Sequence, residues 1–125
     1  MNLLLDTHIY IWWLNDDKQL TNDARKLIID ANTVYVSSIS IWETIIKVKL
    51  GKLEVKIEEL INAIDTEGFE HLPFTTSHAS CISSLPNHHR DPFDRALVAQ
   101  AISEPAYFVS ADKTLQQYSE FVIVI

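Results

Sequence analysis

The sequence is poor in the residues that build cross-links, phosphate loops and anionic-surface contacts. Cysteine occurs once, at Cys81, so no intramolecular disulfide can form. That thiol reads as a small buried apolar residue of a reducing compartment, because nothing around it repeats a catalytic signature. Glycine occurs twice, at Gly51 and Gly68, so neither a G-x-x-x-x-G-K-S/T loop nor a G-x-G-x-x-G turn can be written. Nucleotide-dependent enzymes of those classes are thereby excluded. Basic residues are also few: 10 Lys plus Arg face 17 Asp plus Glu, a formal net charge of −7. The field of the whole molecule repels nucleic acids and anionic membranes, so any polyanion must engage a local patch. A basic leader is missing as well, since Met1-Asn2-Leu3-Leu4-Leu5-Asp6 meets an acid after three leucines. Neither a signal peptide nor a membrane span is expected, and the cytoplasm is the expected compartment.

What is present suffices for one core. The chain has 125 residues, 47% of them hydrophobic and 22% charged. At this length a chain buries roughly two-thirds of the surface that its unfolded form exposes. No repeat or Pro/Ser/Gly-rich linker interrupts it, so one domain over residues 1–125 is expected. Short β-rich runs alternate with longer helical patterns: Leu3 to Leu5, Val34 to Val36, Phe69 to Leu72, Tyr107 to Val109 and Val122 to Ile125. Helices are expected at about 8–14, 21–31, 38–50, 56–67, 75–84 and 92–103. Gly51 and Gly68 sit where C-terminal caps are needed, and Pro92 where a first helical residue tolerates losing its N–H. The pattern predicts an α/β fold with a mainly parallel sheet covered on both faces.

In such sheets ligands bind outside the carboxyl ends of the strands, where strand order reverses. Four acids suit that place. Asp6 follows the first strand, Glu43 lies in the helix after the second, Asp94 opens the helix before the fourth, and Asp112 comes just beyond Val109. Each has a bland reading. Glu43 shares a helical face with Ile39, Ile46 and Leu50, where an unpaired carboxylate costs several kcal/mol, yet Lys47 one turn on offers an ordinary ion pair. Asp91 makes a good N-cap, with Pro92 at N1 and Asp94 at N3, so capping alone accounts for much of that motif. Asp94 nevertheless shares its face with Val98 and Ala101 on a helix apolar almost all round. Asp6 and Asp112 taken singly read as caps too.

The combination changes the reading. Two unit charges about 4 Å apart repel by roughly 4 kcal/mol at an effective dielectric of 20, so four converging carboxylates oppose folding unless cations intervene. Hard oxygen ligands select Mg²⁺ or Mn²⁺. Such ions acidify a bound water and neutralise charge on a phosphoryl oxygen, which makes phosphodiester hydrolysis the natural reaction.

These residues carry a family likeness that extends over nearly the whole chain. Leu4-Leu5-Asp6-Thr7-His8, Ser38-Ile39-Ser40-Ile41-Trp42-Glu43 with Lys47 and Leu50-Gly51-Lys52-Leu53, His89-Arg90-Asp91-Pro92-Phe93-Asp94-Arg95, and Val109-Ser110-Ala111-Asp112 stand in an order and spacing that resembles PIN-domain nucleases. The likeness is to the VapC-like ribonuclease toxins of type II toxin–antitoxin pairs. It implies a three-layer α/β/α sandwich around a central, mainly parallel five-stranded sheet. It further implies Mg²⁺- or Mn²⁺-dependent endoribonuclease activity, a homodimer and inhibition by a small antitoxin. Asp6, Glu43, Asp94 and Asp112 match the family's acidic, metal-binding and catalytic quartet. Thr7 and Ser110 match hydroxyl positions that orient those acids, while Asp91 belongs to an Asp-Pro-Phe-Asp variant and His8 stands where many relatives differ.

The remaining polar and aromatic residues supply candidate contacts. Lys47, Lys49, Lys52 and Lys56 form a basic run, of which Lys47 adjoins the acids and the others read equally well as a solvated face. Lys47, Arg90, Arg95 and His89 are candidate RNA contacts. His78, His88 and His89 show no zinc spacing. Tyr10, Trp12 and Trp13 carry too much aromatic area for one helix face, so core packing competes with antitoxin or dimer contact; neighbours point about 100° apart, so one tryptophan can enter the core while the other serves a partner. Two other readings compete: a catalytically silent PIN-like interaction module whose acids are caps and ion pairs, and, third, a receiver-type phosphoacceptor. The latter wants an acidic pair after the first strand, where only Asp6 stands.

Overall fold

Short apolar runs pair side by side and the longer patterns coil over them in the computed structural model, which describes residues 1–87 and 91–125. In chain order these are β1 (Asn2–Leu5), α1 (Thr7–Leu14), α2 (Asn22–Asp30), β2 (Thr33–Ser37), α3 (Ser38–Lys49), α4 (Ile57–Thr66) and β3 (Glu70–Leu72). There follow α5 (Thr76–Ile82), α6 (Pro92–Ser103), β4 (Tyr107–Ser110), a 3-10 helix (Lys113–Gln117) and β5 (Val122–Val124). The expected strands and helices are found within one or two residues; the 3-10 helix has no counterpart in the sequence reading.

All the strand pairs are parallel and the order is β3-β2-β1-β4-β5. The chain steps outward from β1 through β2 to β3, then returns to the other side of β1 with β4. Strand order therefore reverses between β1 and β4, at whose carboxyl ends a crevice must open. Alternation of side chains divides the core between two layers. Leu3, Leu5, Val34 and Val36 face α1, α2 and α4, where Ile9, Ala24, Ile28 and Ile64 cover them. Leu4 and Phe108 face the opposite way, toward Leu97, Val98 and Ala101 of α6 and Leu115 of the 3-10 helix. The result is a three-layer α/β/α sandwich around a five-stranded parallel sheet. The three leucines of β1 are fully buried, each contributing about 1.5–3 kcal/mol of transfer free energy.

Two helices stop for the reason expected. Gly51 takes φ 73° and Gly68 takes φ 74°. At the first, Gly51 N–H donates to the Val48 carbonyl (3.0 Å) and Lys52 N–H to that of Lys47 (2.9 Å). At the second, Gly68 N–H donates to Asp65 (3.0 Å) and Phe69 N–H to Ile64 (2.9 Å). Both are Schellman closures that need a left-handed residue. Two packing details differ from expectation: Cys81 is half-buried, and Leu50 is 64% exposed because α3 has run past its neighbours by that point.

Candidate active site

One residue separates β1 from α1, and none separates β2 from α3, so both helices start at the crevice. Asp6 fills the first junction. Its N–H donates to the Val109 carbonyl (2.9 Å), adding one rung between β1 and β4. Its carboxylate is buried, accepting from Thr7 N–H (2.7 Å) and from the Ser110 hydroxyl at the end of β4 (2.6 Å). The same Ser110 oxygen accepts from Asp112 N–H (3.1 Å), so one hydroxyl ties Asp6 to the turn bearing Asp112.

Glu43 is only 5% exposed. Of the stripe that its spacing suggested, Ile39 is buried and Leu50 faces solvent, and polar groups meet its carboxylate. Thr7 Oγ1 donates to Glu43 Oε1 (2.7 Å) and lies 2.9 Å from Ser40 Oγ. A hydroxyl has one proton and a carboxylate only accepts, so Thr7 gives its proton to Glu43 and receives that of Ser40. Lys47 Nζ closes the other oxygen at 2.8 Å. Asp112 caps the 3-10 helix through Thr114 N–H (2.9 Å) and the Thr114 hydroxyl (2.7 Å). Asp91 caps α6 as its spacing predicted, accepting from Phe93 N–H (2.9 Å) and Asp94 N–H (3.3 Å).

These side chains line one cleft of about 280 Å³: Asp6, Glu43, Asp91, Asp94 and Asp112, with His8, Trp12, Lys47 and Ala111. Its electrostatics follow from its acids. Burial pushes the Asp94 carboxyl up to about 8, reinforced by the charges of Asp6, Asp91, Glu43 and Asp112 in that order. Asp6 is also raised, chiefly by burial, against the opposing hydrogen bonds from Ser110 and Thr7. The part of the shift that comes from the neighbouring carboxylates also favours a cation in the cleft. The donors are hard oxygens, the class that suits Mg²⁺ or Mn²⁺.

The acids do not converge as tightly as the sequence reading expected. Among the described residues, no three His, Cys, Asp or Glu side chains are gathered as a ready-made metal cage. The reason is local: Asp6, Glu43 and Asp112 are held back by hydrogen bonds to Ser110, Thr7, Lys47 and Thr114. Mg²⁺ commonly takes one or two carboxylates and keeps several waters, so this donor set still fits it.

Other candidate residues lie elsewhere. Arg95 is absent from the cleft lining, and its Nη1 instead donates to the Pro86 carbonyl (3.1 Å) and reaches the Tyr118 hydroxyl (3.3 Å). Tyr10 is buried, its hydroxyl donating to the Leu60 carbonyl (2.7 Å), which removes it as a surface contact. Trp13 donates from Nε1 to Glu67 (2.6 Å) and packs on Phe69. Lys56 pairs loosely with Glu59, and Lys49 and Lys52 are not part of the cleft lining. His88, His89 and Arg90 lie outside the described residues. Sequence reasoning missed Ser40 and left His8 open; the signal for both was spacing, Ser40 standing about one turn before Glu43 and His8 directly after Thr7.

Comparison with known proteins agrees with this architecture. The chain is 27% identical over 123 residues to Ribonuclease VapC22 of Mycobacterium tuberculosis, covering 93% of this chain and 91% of that protein. A chain in the crystal structure of VapBC2 from Rickettsia felis, bound to a DNA fragment from their promoter, matches with TM-score 0.70 at 20% identity, covering 100% of this chain and 98% of that one. The PIN domain model matches residues 3–120. With a match of that extent, the chain belongs to the PIN domain family.

Proposed function

We propose that this PIN-domain chain is an Mg²⁺- or Mn²⁺-dependent endoribonuclease, a toxin restrained by a small cognate antitoxin and acting on cytoplasmic RNA as a homodimer. The observation that carries the reading is the placing of Asp6, Glu43, Asp94 and Asp112 on one cleft at the carboxyl ends of β1 and β4. Such a site asks for a cation. The likeness to a ribonuclease and to a VapBC complex supports RNA cleavage and an antitoxin partner.

Each residue has a task within that reading. Asp6, Glu43, Asp94 and Asp112 would hold the ion. When bound, it would supply an acidified water and positive charge opposite the scissile phosphate. Ser110 and Thr7 fix the orientation of the Asp6 and Glu43 carboxylates, each through one oxygen, and leave the other Asp6 oxygen to Thr7 N–H and the other Glu43 oxygen to Lys47 until a cation enters. Asp91 fixes the first turn of α6 and hence the position of Asp94. Lys47 balances Glu43 in the metal-free site and offers an ammonium to a phosphate that enters.

The test is cleavage of single-stranded RNA. Loss of an outer hydrogen-bond partner at a metal site typically costs about 10–100-fold, so loss of a direct ligand should exceed that range. Asp6→Asn and Asp94→Asn should each lose more than about a hundredfold in activity with an unchanged circular-dichroism spectrum. Cleavage that persists in excess EDTA, or that equals either variant's, rejects the mechanism. The silent-module reading is favoured by one feature, the Lys47–Glu43 ion pair and the caps made by Asp91 and Asp112. It predicts no cleavage by wild type under any metal. Growth arrest that depends on Asp94 and is relieved by a neighbouring gene's product would support the toxin–antitoxin part.

A further inference from the structure

His8 and Trp12 stand one helical turn apart on α1, whose N-cap is Asp6. Their rings have centroids 6.3 Å apart and are tilted by 35°, giving a continuous aromatic wall. Both line the same cleft as Asp6, Glu43, Asp94 and Asp112. His8 is exposed, and its Nε2 lies 3.5 Å from Lys47 Nζ. Trp12 is half-buried and rests against the core, which anchors the indole. The adjacent Trp13 is spent on Glu67 and Phe69, so the two tryptophans serve different surroundings.

We propose that His8 and Trp12 form a stacking subsite for one unpaired base of single-stranded RNA, beside the phosphate that the acids process; this rests on the ribonuclease reading above. Charge explains why such a subsite is needed. The cleft is lined by five acids, and Lys47, the one Lys or Arg among its described lining, is already held by Glu43. On a chain of net charge −7, the long-range field does not draw phosphates in. Stacking on an aromatic face attracts every base without needing a cation and tolerates any sequence. It also splays the strand, which presents the neighbouring phosphate to the acids.

The experiment measures affinity for a short fluorescent single-stranded RNA in an Asp94→Asn background, where cleavage is blocked. Trp12→Ala should weaken binding by about five- to a hundredfold, the range found for loss of a stacking ring, and Trp12→Phe should restore it to within about threefold. His8→Ala, at an exposed position, should weaken it by about two- to tenfold with an unchanged circular-dichroism spectrum. An abasic nucleotide at the stacked position should remove the difference in affinity between the protein that keeps Trp12 and the Trp12→Ala variant. Unchanged affinity in both alanine variants, with wild type still cutting RNA, overturns the subsite alone. A change in oligomeric state with unchanged RNA affinity also overturns it, by assigning the wall to a protein contact. If wild type does not cut RNA and the Asp94→Asn protein does not bind it, the ribonuclease reading fails and the subsite with it.

Discussion

Two regions bury polar side chains, and they do so in opposite ways. Between α5, α6 and the end of β2, donors and acceptors are interleaved, with two N–H groups sharing His78 Nδ1. His78 and Gln100 are almost wholly buried. His78 Nδ1 accepts from Thr75 N–H (3.0 Å), which leaves the proton on Nε2 to donate to Glu104 (2.8 Å). Gln100 accepts from the Ser37 hydroxyl and turns its amide N–H groups toward His78 Nδ1 (3.3 Å) and the Pro73 carbonyl (3.5 Å). In the cleft, by contrast, acceptors are gathered in excess, and the Asp94 carboxyl is driven up to about 8. A cluster with donors and acceptors in balance is complete as it stands. One that crowds carboxylates together instead responds to protons and to added cations. The two are also linked, because Ser37 caps α3, the helix of Glu43, and Gln100 lies on α6, the helix of Asp94.

The balanced region should be the more costly to break. Gln100→Ala leaves the Ser37 hydroxyl without its acceptor and opens a cavity in a fully buried site. A loss of about 2–4 kcal/mol in urea unfolding is expected. An unchanged midpoint would mean that the network is incidental and the contrast with the cleft empty.

The cleft should respond the other way. A carboxyl of ordinary value 3.8 that is raised to about 8 on folding keeps its proton in the folded state where the unfolded chain has lost it. Between about pH 4 and pH 8 the folded state therefore binds more protons, and its stability falls as pH rises through that window. Asp94→Asn removes this penalty. In the metal-free protein at about pH 8 it should leave stability unchanged or raise it by on the order of 1–2 kcal/mol, after allowance for partial exposure, and it should flatten the pH slope. Calorimetry across that pH range reads both effects; a clear loss of stability would make Asp94 a structural residue like Gln100.

The same contrast marks what the sequence made legible. Periodicity and end signals located the strands, the parallel order and both Schellman closures, because backbone preference and burial act locally there. The acids were legible as a set, since each follows a strand or opens a helix at one end of the sheet. Glu43 was picked for its apolar face, of which Ile39 is buried and Leu50 exposed, and for Lys47 one turn on, while its bond to Thr7, far away in sequence, is one that helical spacing does not register. The balanced network was invisible. His78 looked like a histidine without a metal spacing, and only the packing of α5 on α6 brings it to Gln100 and Glu104. For Trp12 and Trp13 core packing and a partner contact were both open, and helical geometry alone did not say that Trp12 would meet the cleft.

The finest test of the contrast is Asp91, which belongs to both kinds of region. Its carboxylate caps α6 through Phe93 and Asp94, a matched arrangement, while its charge adds to the surplus that raises Asp94. Serine caps a helix about as well as aspartate but carries no charge, so Asp91→Ser separates the two roles. If capping dominates, Asp91→Ser should stay within about 0.5 kcal/mol of wild type while Asp91→Ala loses about 1 kcal/mol. The serine variant should also lower the Asp94 titration, followed by the carbon resonance of its carboxyl, because one neighbouring negative charge has gone. Equal losses in both variants, with Asp94 titrating as before, would deny Asp91 either role, and the boundary between the matched scaffold and the acidic cleft would then fall between Asp91 and Asp94.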